Sequence, residues 1–116
     1  MISKAQWKYV RISPKKLRLV ADEIRGMEVD KALSLLPMIP KKGARILRKA
    51  LKSAVANALT REDVSVRQDE LYISKLMIND APRMKRWRPI SRGRAVPYQH
   101  RFSHIVIELD TYENEE

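Results

Sequence analysis

Residues 83–101 carry seven cationic side chains and no acidic one, and their few apolar residues do not alternate regularly. A segment of this kind cannot be buried, because a charge that is removed from water without a partner is strongly destabilising. The stretches on either side, residues 71–78 and 102–109, are rich in β-branched and aromatic residues and predict two strands. We therefore expect an antiparallel strand pair that is extended by a long basic β-hairpin arm, about residues 79–101, which protrudes from the body.

Two further segments are basic and free of acidic residues. Residues 1–18 and residues 41–52 each hold six cations, and all 14 acidic residues of the chain lie outside the three basic segments. The whole chain has 24 Lys and Arg against 14 Asp and Glu, which gives a net charge of +10. Any one of these segments could be a solvated face. Three together favour binding to a polyanion, whose condensed counterions are released on association.

The first part of the chain predicts a strand followed by helices. Residues 3–12 alternate loosely between apolar and polar positions, which indicates a strand. Ser13 is placed to cap a helix that has Pro14 at its first position and stops at Gly26. A short second helix is expected to end at Pro37.

A long third helix is the clearest element of the sequence. Its apolar positions recur with helical spacing from Ala44 to Leu59, and the basic segment at residues 41–52 forms the outer face. Together with the strands, this indicates an α+β fold. The length suits a single domain, residues 1–116, and the acidic residues 110–116 are expected to form a loose tail.

The sequence offers little for catalysis or for metal binding. There is no cysteine, and three glycines are too few for a phosphate-cradling loop. His100 and His104 would be about 13 Å apart in a strand, so they cannot chelate one metal. His104 is expected to be a hydrogen-bonding residue at the sheet edge or an RNA contact. We expect no catalytic residue, no metal site, no cofactor and no membrane-spanning segment.

The arm has the side chains that recognise unpaired nucleic acid. Arginine outnumbers lysine in it, and the guanidinium group binds phosphate in a bidentate manner. Trp87 and Tyr98 offer surfaces on which bases stack, and Gly93 permits a sharp turn or a close approach of two backbones. Two structural alternatives remain: Trp87 could be a packing residue at the base of the arm, and Gly93 could mark an ordinary turn.

Three motifs resemble a known family. YVRISPKKLRLVADEIRG (9–26), LKSAVANAL (51–59) and PRMKRWRPISRGRA (82–95), the last followed by FSHIVIEL, are similar to the bacterial-type family of large-subunit ribosomal protein twenty-two. The likeness covers about residues 5–110. It implies a three-stranded antiparallel sheet packed on three helices, and a long hairpin that lines the polypeptide exit tunnel.

The resemblance also implies particular contacts with large-subunit ribosomal RNA. In the RISPKKLRLV motif these are Lys15, Lys16 and Arg18. In and beside the arm they are Arg83, Lys85, Arg86, Arg92, Arg94, Arg101 and His104. The full set of predicted RNA-binding residues, which adds members of the basic segments and of the arm, is Arg11, Lys15, Lys16, Arg18, Lys41, Lys42, Arg45, Lys49, Lys52, Arg83, Lys85, Arg86, Trp87, Arg88, Arg92, Gly93, Arg94, Arg101 and His104.

The expected function is that of a structural protein of the large ribosomal subunit. Its expected partners are large-subunit ribosomal RNA, neighbouring large-subunit ribosomal proteins and the nascent polypeptide near the arm tip. The chain would be a monomer within a cytoplasmic ribosome, with an organellar ribosome left open. Two alternatives belong to other classes: a DNA-architectural protein, which would dimerise and bend duplex DNA with its basic β-arms, and an RNA-processing enzyme.

Overall fold

A computed structural model describes residues 1–63, 65–82, 84–89 and 95–112, and within residues 84–89 and 95–100 the description is of the strand backbone. In this part of the chain there are five strands and three α-helices. Their bounds are β1 Ser3–Val10, α1 Pro14–Ile24, α2 Val29–Leu35, α3 Lys42–Leu59, β2 Leu71–Asp80, β3 Met84–Pro89, β4 Ala95–His100 and β5 Ser103–Thr111. Single 3₁₀ turns follow α2 and precede β2.

The body is a three-stranded antiparallel sheet in the order β1-β5-β2, with the helices on one face. Ser103, Ile105, Ile107 and Leu109 of the central strand are buried, and the residues between them are partly exposed. This alternation places one face of β5 against the helices. The expected α+β fold, with a three-stranded antiparallel sheet on three helices, is confirmed.

A β-bulge near the end of β1 explains why its apolar residues fall at both odd and even positions, Trp7 and Tyr9 on the one hand and Val10 on the other. Trp7 pairs with Ile105 and Val10 pairs with Ser103, so β1 has one residue more than β5 over this interval. Tyr9 lies in the bulge with φ of 57°, in the left-handed region. Without the extra residue, Val10 would lie on the sheet face opposite to that of Trp7. The bulge reverses the alternation, so Val10 points into the core and is buried, while Trp7 on the same face is partly exposed.

The helices form as their signals indicate. The Ser13 side chain accepts a hydrogen bond from the Lys16 backbone N–H, which caps α1, and Pro14 occupies its first turn. The apolar stripe of α3 is buried, except that Leu59 at its end is exposed. At Gly43, an added Cβ would lie 3.4 Å from Cγ2 of Val20. The first turn of α3 therefore packs against α1 at a distance that leaves ordinary van der Waals contact for a Cβ.

The hairpin is separate from the body sheet. β3 pairs only with β4 among the described strands, in a register from Met84 opposite His100 to Pro89 opposite Ala95. The molecule measures 64 × 28 × 23 Å along its principal axes, and its radius of gyration is 17.5 Å. A compact chain of this length would have a radius of gyration of about 13 Å. These dimensions agree with an arm that protrudes.

The predicted acidic tail differs from the structure at its start, and part of the predicted site lies outside the described residues. Asp110 and Thr111, which were expected in the acidic tail, pair with Tyr72 and Leu71 and so belong to β5. Tyr112 of that tail stacks on Tyr72, whereas residues 113–116 lie outside the described residues, as do Arg83, Arg92, Gly93 and Arg94 of the predicted site.

Candidate nucleic-acid interface

The long helix α3 runs antiparallel to β1. Near the start of α3, Lys42 Nζ donates a hydrogen bond to the Arg11 carbonyl, over 3.2 Å. Just beyond its end, Arg61 Nη1 donates to the Ile2 carbonyl, over 2.7 Å. The basic first half of α3 therefore lies beside the end of β1 that leads into α1.

The helix α1 begins at this same end of the body. Ser103 Oγ, at the start of β5, donates to the Ile12 carbonyl over 2.7 Å, just before α1. At the other end of α1, the backbone N–H of Ile73 donates to the Met27 carbonyl. The hairpin leaves the sheet where Asp80 pairs with Ser103. The end of the body that carries the root of the arm therefore also carries seven cations, and we call it the basic end. These cations are Lys8, Arg11, Lys15, Lys16, Lys41, Lys42 and Arg45.

Acidic side chains gather at the opposite end of the body. They lie at the start of α2, after α3, before β2 and at the end of β5. The acidic residues of these segments are Glu28, Asp30, Glu62, Asp63, Asp69, Glu70 and Asp110. The fold thus brings the first basic segment and the start of the second to one end of the sheet, while these acidic residues lie toward the other end.

The cations of the two ends differ in their partners. Away from the basic end, Arg25 pairs with Asp22, Arg61 with Asp63 over 2.5 Å, and Arg67 with Glu70 over 3.1 Å. On the basic end and the adjoining face of α3, nine exposed cations form no ion pair within the described part of the chain. These are Lys8, Lys15, Lys16, Lys41, Lys42, Arg45, Arg48, Lys49 and Lys52. Among the described residues, no carboxylate therefore neutralises these side chains.

The two helix N-termini at the basic end add to its positive potential. Neither α1 nor α3 has an acidic residue in its first turn, and the N-cap of α3, Lys41, makes no side-chain capping bond. Cations at a helix N-terminus oppose the macrodipole, and the exposed N–H groups favour an anion. Between the two first turns lies an open cleft of about 360 Å³, which is lined by Ile12, Lys16, Leu19, Lys41, Lys42 and Gly43. This arrangement suits a phosphate group.

Arg18 was predicted only as an RNA contact, but it also has a structural role. Its Nε and Nη2 donate to the carbonyl of Ile78, over 3.3 and 2.9 Å. Arg25, the residue that follows the end of α1, donates in the same way to the carbonyl of Leu76, over 3.2 and 3.0 Å. Since β2 is an edge strand, these two forks satisfy carbonyl groups on its free edge and hold α1 against the sheet.

His104 forms a hydrogen bond, as one of the two predictions for this residue had it. It lies, however, in the central strand and not at the sheet edge. Its Nδ1 accepts the backbone N–H of Tyr9 over 3.1 Å, and the two rings meet edge to face with centroids 4.7 Å apart. A neutral imidazole that accepts at Nδ1 carries its proton on Nε2. His104 can therefore still donate a hydrogen bond to a phosphate or a base.

The arm contributes its root to the described surface. Arg101 Nη2 lies 3.4 Å from Asp80 Oδ1, while its Nε is buried and has no hydrogen-bond partner among the described residues. Four predicted residues, Lys85, Arg86, Trp87 and Arg88, belong to β3, of which the backbone is described. The contacts predicted for their side chains stay predictions.

Sequence reasoning missed Trp7 as a member of this surface. Trp7 shares its strand parity with the buried Ala5, yet it remains 37% exposed and lies beside the basic face of α3. A large aromatic side chain inside a basic segment was the signal that could have indicated it.

The described residues hold no group of three or more His, Asp or Glu side chains that could bind a metal ion. No helix in the described part of the chain is both long and apolar enough to cross a bilayer.

Comparison with known proteins agrees with the motifs. The family model for ribosomal protein L22p/L17e matches residues 5–110. The chain belongs to this family. It is 47% identical over 113 residues to large ribosomal subunit protein uL22 of Finegoldia magna, covering 97% of this chain and 99% of the relative. It is 48% identical over 110 residues to uL22 of Desulfotalea psychrophila, covering 95% and 98%. For uL22 of a Thermotoga species the identity is 50% over 105 residues, covering 90% and 65%.

Family membership confirms the resemblance over the expected residues and bears on the alternatives. The L22 family consists of structural ribosomal proteins and is not enzymatic, which removes an RNA-processing enzyme. It likewise disfavours a DNA-architectural protein, since the relatives are all named as large-subunit ribosomal proteins.

Proposed function

We propose that this chain is a structural constituent of the large ribosomal subunit, in which it binds large-subunit ribosomal RNA and supports assembly. The tip of the arm lines the polypeptide exit tunnel and lies near the nascent chain. The protein acts as one copy per cytoplasmic ribosome, as a single domain beside other large-subunit proteins. The observation that carries the proposal is the basic end, where Lys15, Lys16, Lys41 and Arg45, from separate segments, meet without an ion pair to any carboxylate of the described residues.

The proposed mechanism is charge neutralisation at two places. The basic end offers lysine and arginine side chains together with two helix N-termini, and each phosphate that binds releases condensed counterions. The arm carries a second set of cations away from the body. RNA segments that bind these two surfaces can approach each other, because their mutual repulsion is reduced. The acidic end of the body is left for surroundings other than phosphate.

The RNA-binding residues are assigned to these two places. The basic end and the adjoining face of α3 supply Arg11, Lys15, Lys16, Arg18, Lys41, Lys42, Arg45, Lys49 and Lys52, and His104 adds a donor from the outer face of the sheet. The arm supplies Arg83, Lys85, Arg86, Trp87, Arg88, Arg92, Gly93, Arg94 and Arg101.

The test compares two triple variants with the same change in net charge. One removes Arg45, Lys49 and Lys52, each replaced by Ala, from the face of α3. The control replaces Lys31, Arg67 and Lys75 by Ala, all of them outside the basic end. Affinity for large-subunit ribosomal RNA is measured between low and moderate salt.

The variant of the basic face is expected to reduce the steepness of the log–log salt dependence by roughly 2 to 3, about 0.7 to 0.9 for each lost phosphate contact. The control is expected to leave the slope nearly unchanged. Equal effects of the two variants would show that net charge alone governs binding, and the proposed interface would then be wrong.

A further inference from the structure

The Trp7 side chain lies at the edge of the sheet, between β1 and the basic face of α3. On one side it lines a hollow of about 230 Å³ together with Lys42, Arg45, Ile46 and Lys49. On the other side it lines a smaller hollow of about 130 Å³, with Ala5, Gln6, Lys49, Ala50 and Ser53. The indole therefore has open space on two sides and cations around it.

Core packing accounts for only part of the Trp7 surface. Ala5, two residues earlier on the same face of β1, is only 8% exposed, whereas Trp7 is 37% exposed. The neighbouring Arg45 and Lys49 form no ion pair within the described part of the chain. The exposed part of the indole presents apolar surface to water beside these cations.

We propose that this cleft, between Trp7 and the face of α3 that carries Lys42, Arg45 and Lys49, binds one unpaired nucleobase of an RNA strand. The base stacks against the indole, Ile46 contributes an apolar contact, and the three cations bind the phosphates on either side of the nucleotide. The inference rests on the proposed RNA binding and goes beyond it, because it assigns a base contact within a surface that otherwise recognises phosphate.

The chemistry of the cleft selects this ligand class. Aromatic side chains beside a basic groove are the recurring means of holding single-stranded nucleic acid, because every base has a face that can stack. A base within a regular duplex is paired and stacked on its neighbours, so its face is not accessible. A purely acidic ligand would use the cations but leave the indole without a partner.

The first experiment uses Trp7 as its own reporter. The chain has two tryptophans, so Trp87→Phe leaves Trp7 as the single indole. The probes are a mixed-sequence single-stranded RNA decamer and an abasic oligonucleotide of the same length, which keeps the phosphates and lacks the bases. The RNA is expected to quench Trp7 fluorescence. The abasic probe is expected to bind at low salt without that quenching.

The second experiment measures affinity. In the full chain, Trp7→Ala is expected to weaken binding of the RNA decamer roughly tenfold, the usual cost of losing one base–aromatic stack. Binding of the abasic probe should not change. Trp7→Tyr should recover most of the loss, since a phenol ring still stacks. Tyr112→Ala is the matched control, because Tyr112 is also exposed but stacks on Tyr72, distant from the basic end.

The outcomes separate the two levels of the argument. If both probes bind and quench alike, or if Trp7→Ala weakens both equally, the base site is wrong while the proposed RNA binding stands. If neither probe binds at low salt, the proposed function and the base site both fail. Should Trp7→Ala prove unfolded by circular dichroism, the quenching comparison in the Trp87→Phe protein still decides the matter.

Discussion

At the scale of single residues, two groups of arginines among the described residues have different roles that the sequence does not distinguish. Arg45 faces solvent among other cations, whereas Arg18 and Arg25 each direct a planar fork at a carbonyl of β2. The second group stabilises the fold, because a carbonyl on a free sheet edge needs a donor and an open edge invites pairing with other chains. Arginine content therefore overstates the number of guanidinium groups whose donors are all free to bind RNA.

Removing the fork of Arg25 should destabilise the body. Arg25→Met keeps the aliphatic stem but leaves the Leu76 carbonyl without its two donors. We expect the free energy of unfolding to fall by roughly 1–2 kcal/mol, toward the lower part of the range for hydrogen bonds to charged groups, because the site is only partly buried. Urea unfolding measures the change. Arg48→Met, an exposed change on α3, is the control and should have almost no effect; equal losses in the two variants would contradict the role of Arg25.

The Arg61 and Asp63 pair should make a small, pH-dependent contribution to stability. Hydrogen bonds from Arg61, over 2.9 and 2.5 Å, hold the pKa of Asp63 below its ordinary value of 3.8 and raise the pKa of Arg61. A carboxyl whose pKa is lower in the folded state stabilises the fold above its unfolded pKa and loses this effect as the pH falls through the folded pKa.

Asp63→Asn should therefore lower the urea midpoint slightly near neutral pH, and the difference from the parent should vanish in acid below the folded pKa of Asp63. Because Asp63 is exposed and Arg61 is only partly buried, salt should also reduce the difference. A difference that persists unchanged into strong acid would show that the carboxylate charge is not its cause.

At the scale of elements, regular patterns were predictable and irregular ones were not. The apolar stripe of α3 and the alternation of β5 are periodic, so hydrophobic spacing alone locates both elements. The bulge at Tyr9 is not periodic, since it inserts one residue and reverses the faces of β1. In the sequence, the bulge was indicated only by apolar residues at both odd and even positions of β1.

The candidate site has the same limit. The basic segments could be found from composition, but their meeting at one end depends on α1 and α3 running antiparallel to the strands beside them. The contacts that fix those directions join residues that are far apart in the chain. Arg18 and Ile78, for example, are 60 positions apart. Local spacing carries no information on such pairs, so neither the structural role of Arg18 nor the cleft at Trp7 was predictable.

At the scale of the whole molecule, the described core lies in the body, and the arm forms a sheet of its own. The body has a buried core from all three helices and the three-stranded sheet, and β3 and β4 form their own two-stranded sheet. Where the arm leaves the body, the backbone N–H of Ala81 donates to the Phe102 carbonyl over 3.1 Å. The body sheet is therefore closed by backbone pairing just below the arm.

This closure defines a clean deletion. Replacing residues 82–101 by Asn-Gly joins Ala81 to Phe102 through a two-residue turn of the kind that antiparallel strands favour. We expect helical circular dichroism and a cooperative unfolding transition to be retained, because every residue of the core formed by the described residues lies outside the deleted segment. Binding to large-subunit ribosomal RNA should weaken and depend less on salt, since the seven cations of residues 83–101 are lost, and incorporation into the subunit should fail. Loss of the helical signal would instead show that the arm is part of the folding unit, and the division between a stable body and a binding arm would be wrong.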